Sequence, residues 1–248
     1  MEHPCGDDDK LISDIEKFGF AVIIIEATNY LPSFSYTVGL FAKYNHPELI
    51  AFGLSPKTLH AILNIGGEMV KKGQLLKTAT DYLEFFESGG VKFLQVDPKN
   101  TRDYFGYAIW FNKTTEFPSL QLVWTDRQGR YPWEDDFEND LKGKQPLLDR
   151  NAHFKYKEAP NLAVFTTRQH LTMDKPIVMV VHDEEGEWQF LTGDQLPGDI
   201  KIVSLEGMVK RDKSLNDLFN LDYGEYAERK HPGAPWIRGI VKSDIEDQ

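Results

Sequence analysis

The apolar residues of this chain come in short runs, and that limits what it can build. The longest run, Phe20–Ile25, is far too short to span a bilayer. Like several others, it has the length and β-branched content of a single buried strand. Strands are expected at Phe20–Glu26, Phe34–Leu40, Leu49–Leu54, Val91–Val96 and Leu120–Trp124. Helical spacing fits three segments. The first is Asp7–Phe18, with Leu11, Ile12, Ile15 and Phe18 on one face. The second starts at Ser55-Pro56, an N-cap followed by proline at the first helical position, and carries Leu59, Ile62, Leu63, Met69 and Val70. The third runs from Asp97 or Asn100 to about Phe111. Strand and helix patterns do not alternate as βαβ units. The expected class is therefore α+β, with a mixed or mainly antiparallel sheet and flanking helices.

At 248 residues the chain has room for two modules. Periodicity fades between Asp135 and Pro160, which places the expected boundary there, with modules at 1–155 and 156–248. The second module reads as a strand at Leu162–Thr166, then Pro176–His182 joined by the turn Asp183-Glu184-Glu185-Gly186 to Glu187–Leu191. A strand at Lys201–Val203 and helices at Ser204–Lys210 and Ser214–Arg229 complete it, and the polar tail after Ile240 is expected to fray.

The formal net charge is −11, and such a surface repels phosphate backbones and attracts basic partners. Nucleic acid is not an expected direct ligand. The acidity clusters at Asp7–Asp9, Asp135–Glu138 and Asp183–Glu187. With one cysteine, Cys5, no intramolecular disulfide and no multi-cysteine zinc site can form. The acidic N-terminus is the reverse of a signal peptide, so a cytoplasmic location with no membrane association is expected. There is no Walker loop, no G-x-G-x-x-G and no nucleophile elbow; Gly66-Gly67 and Gly89-Gly90 do not cradle phosphate by pattern. No metal or cofactor is expected.

Several motifs in order carry a resemblance: Phe34-Ser35-Tyr36-Thr37-Val38-Gly39-Leu40, His46-Pro47-Glu48-Leu49, Phe105 to Phe111, Gln121-Leu122-Val123-Trp124, Asp126 to Glu134, and Gln145-Pro146-Leu147-Leu148. Over residues 11–150 the first module resembles the bacterial domain-of-unknown-function family 4262. The second, with His182-Asp183 and Trp188-Gln189-Phe190-Leu191, looks like a module that often follows it. The resemblance implies no reaction. Some families of this general kind sit beside secreted bacterial toxins as immunity proteins, which is an analogy of context and not a motif.

Three segments hold candidate binding residues. Tyr36 and Thr37 form a polar pair in an apolar strand, able to bond a ligand or to be paired in the core, with Gly39 allowing close approach. Trp124, Asp126, Arg130, Trp133 and Glu134 make the densest aromatic and charged segment, which is either a binding hot spot or a hairpin that seals the core. His182-Asp183 with Trp188 reads as a triad fragment or as a hairpin pair. His46 and Glu48 can form an acid–base pair or a turn, whereas His170 and His231 stand at no metal-ligand spacing. The leading expectation is a non-enzymatic binding protein, in its most concrete form an immunity-type protein that occludes a basic toxin, with Trp124, Arg130 and Trp133 as anchors. A flavin-type or other small-molecule enzyme, or a hydrolase using Asp126 or Glu134 with His46 or His182, stays open.

Overall fold

A computed structural model describes residues 5–241. The chain is α+β and divides into two compact units. The first comprises the chain up to Ala27 and Pro32–Ala152; the second comprises Thr28–Leu31 and the chain from His153.

In the first unit, α1 (Cys5–Phe18) precedes β1 (Ala21–Ile25), β2 (Phe34–Val38), α2 (Leu40–Tyr44), β3 (Glu48–Phe52), α3 (Pro56–Lys71), β4 (Val91–Gln95), α4 (Thr101–Tyr104), α5 (Gly106–Asn112) and β5 (Ser119–Trp124). The five strands form one sheet in the order β1-β2-β3-β5-β4. Only β3 and β5 run parallel, with Glu48 opposite Ser119. The capping signal at Ser55 is realised: its hydroxyl accepts the Thr58 N–H at 3.2 Å, and Pro56 opens α3. Helix α3 runs unbroken through Gly66-Gly67. A Cβ on Gly67 would stand 2.2 Å from Cζ of Phe20, so glycine lets the helix close on that ring. Leu59, Ile62 and Leu63 of α3 join Leu49, Ala51, Leu120 and Leu122 in one core. The alternate residues Phe34, Tyr36 and Phe52 pack on Tyr104 and Phe105. The single helix expected up to Phe111 is broken at Phe105, whose ψ of 41° separates α4 from α5.

The second unit holds β6 (Ala163–Thr167), α6 (Arg168–Met173), β7 (Met179–His182), β8 (Trp188–Leu191), β9 (Ile200–Ser204), α7 (Leu205–Arg211), β10 (Glu225–Glu228) and β11 (Ile237–Ile240). Its six-stranded sheet runs β11-β10-β7-β8-β6-β9. The expected hairpin is present: Gly186, at φ 85°, donates to the Asp183 carbonyl, and His182 pairs with Trp188. The helix expected over Ser214–Arg229 is not formed. A short 3-10 segment, Lys213–Leu218, gives way to β10, which pairs with both β7 and β11. Gly224, at φ 75°, turns the chain where that helix would have continued. The two edge strands are apolar on an open face: Ile202 in β9 and Ile240 in β11 are 67% and 76% exposed. Apart from Val241, the tail expected to fray lies outside the described residues, as do Met1–Pro4.

Candidate functional site

The dense segment that follows β5 separates into an inner and an outer half. Trp124 belongs to the core. It is 6% exposed, and its Nε1–H donates to the Phe52 carbonyl at 2.8 Å. Asp126 is the hub of the turn. Its Oδ1 accepts the N–H groups of Gln128 and Arg130, both at 2.9 Å, and its Oδ2 accepts Arg130 Nε at 2.9 Å and the Glu138 N–H at 3.2 Å. Burial pushes this carboxyl up, but those donors outweigh it and hold it below the usual carboxylate range. Glu134 likewise caps a turn, accepting the Tyr131 N–H at 2.6 Å. Asp126, Arg130 and Glu134 are thus occupied in shaping the loop.

That loop delivers Trp133. Its indole lies parallel to Tyr131 at 3° with ring centroids 4.9 Å apart, and the Arg150 guanidinium sits 5.7 Å from the indole centroid. Beneath, Lys92 Nζ is 4.5 Å from the Tyr131 centroid, and the Tyr131 hydroxyl donates to Asp81 at 2.8 Å. Tyr131 is buried while Trp133 is 37% exposed, so the stack is anchored at one end and open at the other. Leu83, 70% exposed, lies beside it: a Cβ on Gly90 would stand 3.0 Å from the Tyr131 hydroxyl and 3.8 Å from Leu83. Lys92, Tyr131, Trp133 and Arg150 thus make a run of cation–ring, ring–ring and ring–cation contacts that leaves the indole partly exposed.

The polar pair in β2 is turned inward. Tyr36 is 2% exposed, and its hydroxyl accepts the Tyr107 N–H at 3.0 Å; burial raises its pKa to about 12. Thr37 donates to Glu48 Oε2 at 2.6 Å and accepts the Leu49 N–H at 2.8 Å. Glu48, wholly buried, also takes the N–H groups of Gly39 and Phe41 at 2.9 and 3.1 Å on Oε1. Burial raises its pKa from 4.5 to about 7, against the pull of those donors. His46 has other partners. Its Nδ1 lies 2.8 Å from the Pro47 carbonyl and its Nε2 accepts the Leu76 N–H at 3.3 Å, an arrangement that requires the Nδ1–H tautomer. The His46 and Glu48 side chains are therefore committed to different backbone groups.

In the second unit His182 and Trp188 do meet, with rings stacked at 4.0 Å and 11°, but Asp183 does not brace the imidazole. His182 Nδ1 lies 2.7 Å from the Leu221 carbonyl, while the Asp183 carboxylate accepts the Glu187 N–H and the Gln189 amide across the hairpin. Trp188 Nε1 and the Tyr30 hydroxyl converge on Glu158 at 3.4 and 2.7 Å. All three rings are buried, which makes this a core cluster.

Among the described residues no group of three or more His, Cys, Asp or Glu side chains is placed to hold a metal ion, and no helix is long and apolar enough to cross a membrane. A family model described as Domain of unknown function (DUF4262) matches residues 14–138. The chain belongs to this family. No curated protein and no solved structure matches it. The DUF4262 match takes in Asp81, Lys92, Tyr131 and Trp133 but ends before Arg150, which closes this run of contacts from outside it. Lys92 and Leu83 were missed from the sequence. The alternation of Val91–Gln95 does carry a signal for Lys92, because it sets Lys92 on the face opposite the buried Val91 and Phe93.

Proposed function

We propose that this DUF4262 chain is a non-enzymatic binding protein that engages a basic protein partner through the face formed by Trp133, Arg150 and Leu83. The observation that carries the reading is the Trp133–Tyr131 stack, with Lys92 over the buried Tyr131 ring and Trp133 37% exposed. Rigid, half-exposed tryptophan with adjacent arginine is the composition of binding hot spots. The net charge of −11 favours encounter with a basic partner. The side chains that a hydrolase would use are held in fold-shaping bonds: Asp126 by four donors, Glu134 by a turn, and His46 by two backbone groups. The most concrete form of such a protein is an immunity-type protein that blocks a basic toxin by occlusion.

Co-purification from the native host followed by mass spectrometry supplies the test. A basic protein retained in stoichiometric amount by the native chain is expected to bind Trp133→Ala more weakly by about 2 kcal/mol or more, roughly 30-fold. Its association rate is expected to fall steeply with added salt. A partner held equally well by a folded Trp133→Ala chain, or an association rate indifferent to salt, would refute the proposal.

A further inference from the structure

The aromatic cluster of the second unit is open on one side. Tyr223, 44% exposed, stands edge-on to His182 at 4.7 Å. Tyr30 and Tyr223 share an ammonium: Lys157 Nζ lies 4.0 Å from the Tyr30 centroid and 5.2 Å from that of Tyr223. Both distances are within the range at which a ring face attracts a cation. The rings themselves are held in place. The Tyr30 hydroxyl donates to Glu158 at 2.7 Å, and the ring meets His182 and Trp188 edge-on at 5.5 and 6.1 Å. Tyr223 rests against the hairpin turn, where a Cβ on Gly186 would stand 3.4 Å from its Cε1. The rim is acidic: Asp222 precedes Tyr223, and Glu184 Cγ lies 3.4 Å from where a Cβ on Gly224 would be.

Lys157 is a weakly held occupant. It is exposed, its ammonium has no carboxylate partner among the described residues, and its hydrogen bond to the Asn29 carbonyl is 3.5 Å long. The carboxylate next to it in sequence is committed elsewhere, Glu158 taking the Tyr30 hydroxyl on Oε2 and Trp188 Nε1 on Oε1. The Tyr30 face under Nζ is covered by this exposed side chain, whose rotation uncovers it. The site therefore offers two ring faces and an acidic rim, but one distant acceptor. A primary ammonium carries N–H donors that find almost no acceptor there. A quaternary ammonium has none, so it gains the attraction of the rings without giving up a hydrogen bond.

We infer that this two-tyrosine site binds a quaternary ammonium, and that Lys157 is the occupant that fills it in the free chain. The ligand displaces the lysine and sets its methyl groups against Tyr30 and Tyr223, while Glu184 and Asp222 offset its charge at longer range. The quaternary group belongs either to a free small molecule or to a trimethylated lysine side chain of a protein. The site lies within the second unit and does not depend on the Trp133 face.

Three small molecules separate this from charge attraction and from apolar contact: choline, its primary-amine counterpart ethanolamine, and its neutral tert-butyl analogue. Each is titrated into the full native chain and into Lys157→Ala, followed by calorimetry and by the ring signals of Tyr223. Choline is expected to bind Lys157→Ala about fivefold or more tightly than it binds the native chain, because the resident ammonium no longer competes. In Lys157→Ala it is expected to exceed both ethanolamine and the neutral analogue by about fivefold or more. Adding Tyr223→Leu, a change at a half-exposed position, is expected to leave the chain folded and to abolish that preference. A short peptide bearing trimethyl-lysine that binds more tightly than choline identifies a protein side chain as the ligand; equal or weaker binding identifies a free small molecule. Failure of choline to bind Lys157→Ala, equal affinity in the native chain, ethanolamine or the neutral analogue binding as well as choline, or an unchanged preference in the folded double variant overturns the inference.

Discussion

Replacing Glu48 with alanine is expected to destabilise the first unit by about 3 kcal/mol or more at pH 5, read as a lowered denaturant midpoint. The change strands the Thr37 hydroxyl and the N–H groups of Gly39 and Phe41 in the core, and each buried group left unpaired costs about 1–3 kcal/mol. The carboxyl also links this unit to pH. Its folded pKa of about 7 lies above the ordinary 4.5. Below pH 4.5 the group is protonated folded and unfolded, and its contribution is fully present. Between 4.5 and 7 the unfolded chain gives up the proton while the folded one keeps it, so stability falls as pH rises, by about 3 kcal/mol in all, and levels off above 7. Glu48→Gln imitates the protonated carboxyl. It is expected to remove this slope and to be at least as stable as the native chain at pH 8. A Glu48→Gln chain with the native slope would show that the titration belongs elsewhere.

Trp188→Ala is expected to have an effect of similar size in the second unit. Trp188 is 1% exposed, stacks on His182 at 4.0 Å and meets Tyr156 edge-on at 5.1 Å. Removing a buried indole costs about 3–5 kcal/mol through lost burial and the void left behind. Hydrogen exchange read peptide by peptide should show faster exchange in β7, β8 and β10, with Trp188→Phe recovering much of the protection. Unchanged exchange in those strands would mean that the cluster does not hold the sheet together.

What was legible in the sequence follows from how far apart the determining groups lie. The start of α3 was readable because Ser55, Pro56 and Thr58 settle it within one turn. The hairpin from His182 to Trp188 was readable because Gly186 sits between its strands. The stretch from Ser214 to Arg229 was misread because Leu215, Leu218 and Phe219 satisfy helical spacing, whereas the outcome is decided by pairing with β7 and β11, far along the chain. In the candidate face, the density of aromatic residues was visible but their direction was not. Trp124 faces inward because it ends a strand whose every residue is buried, while Trp133 faces outward because the Asp126 turn reverses the chain before it. Arg150 was silent for the same reason: the ring it covers, Trp133, is distant in sequence, and no spacing rule reaches it.

The open edges of the second sheet set a condition on how this protein is handled. Strands whose outer isoleucines face water, such as β9 and β11, invite pairing between molecules, and mutual repulsion at net charge −11 opposes it. That repulsion vanishes near the isoelectric point of about 5.1 and is screened by salt. Concentrated solutions should therefore cloud near pH 5, where Glu48 still supplies much of its contribution to the first unit. Storage near pH 8 at low ionic strength trades some folding stability for freedom from edge-to-edge association.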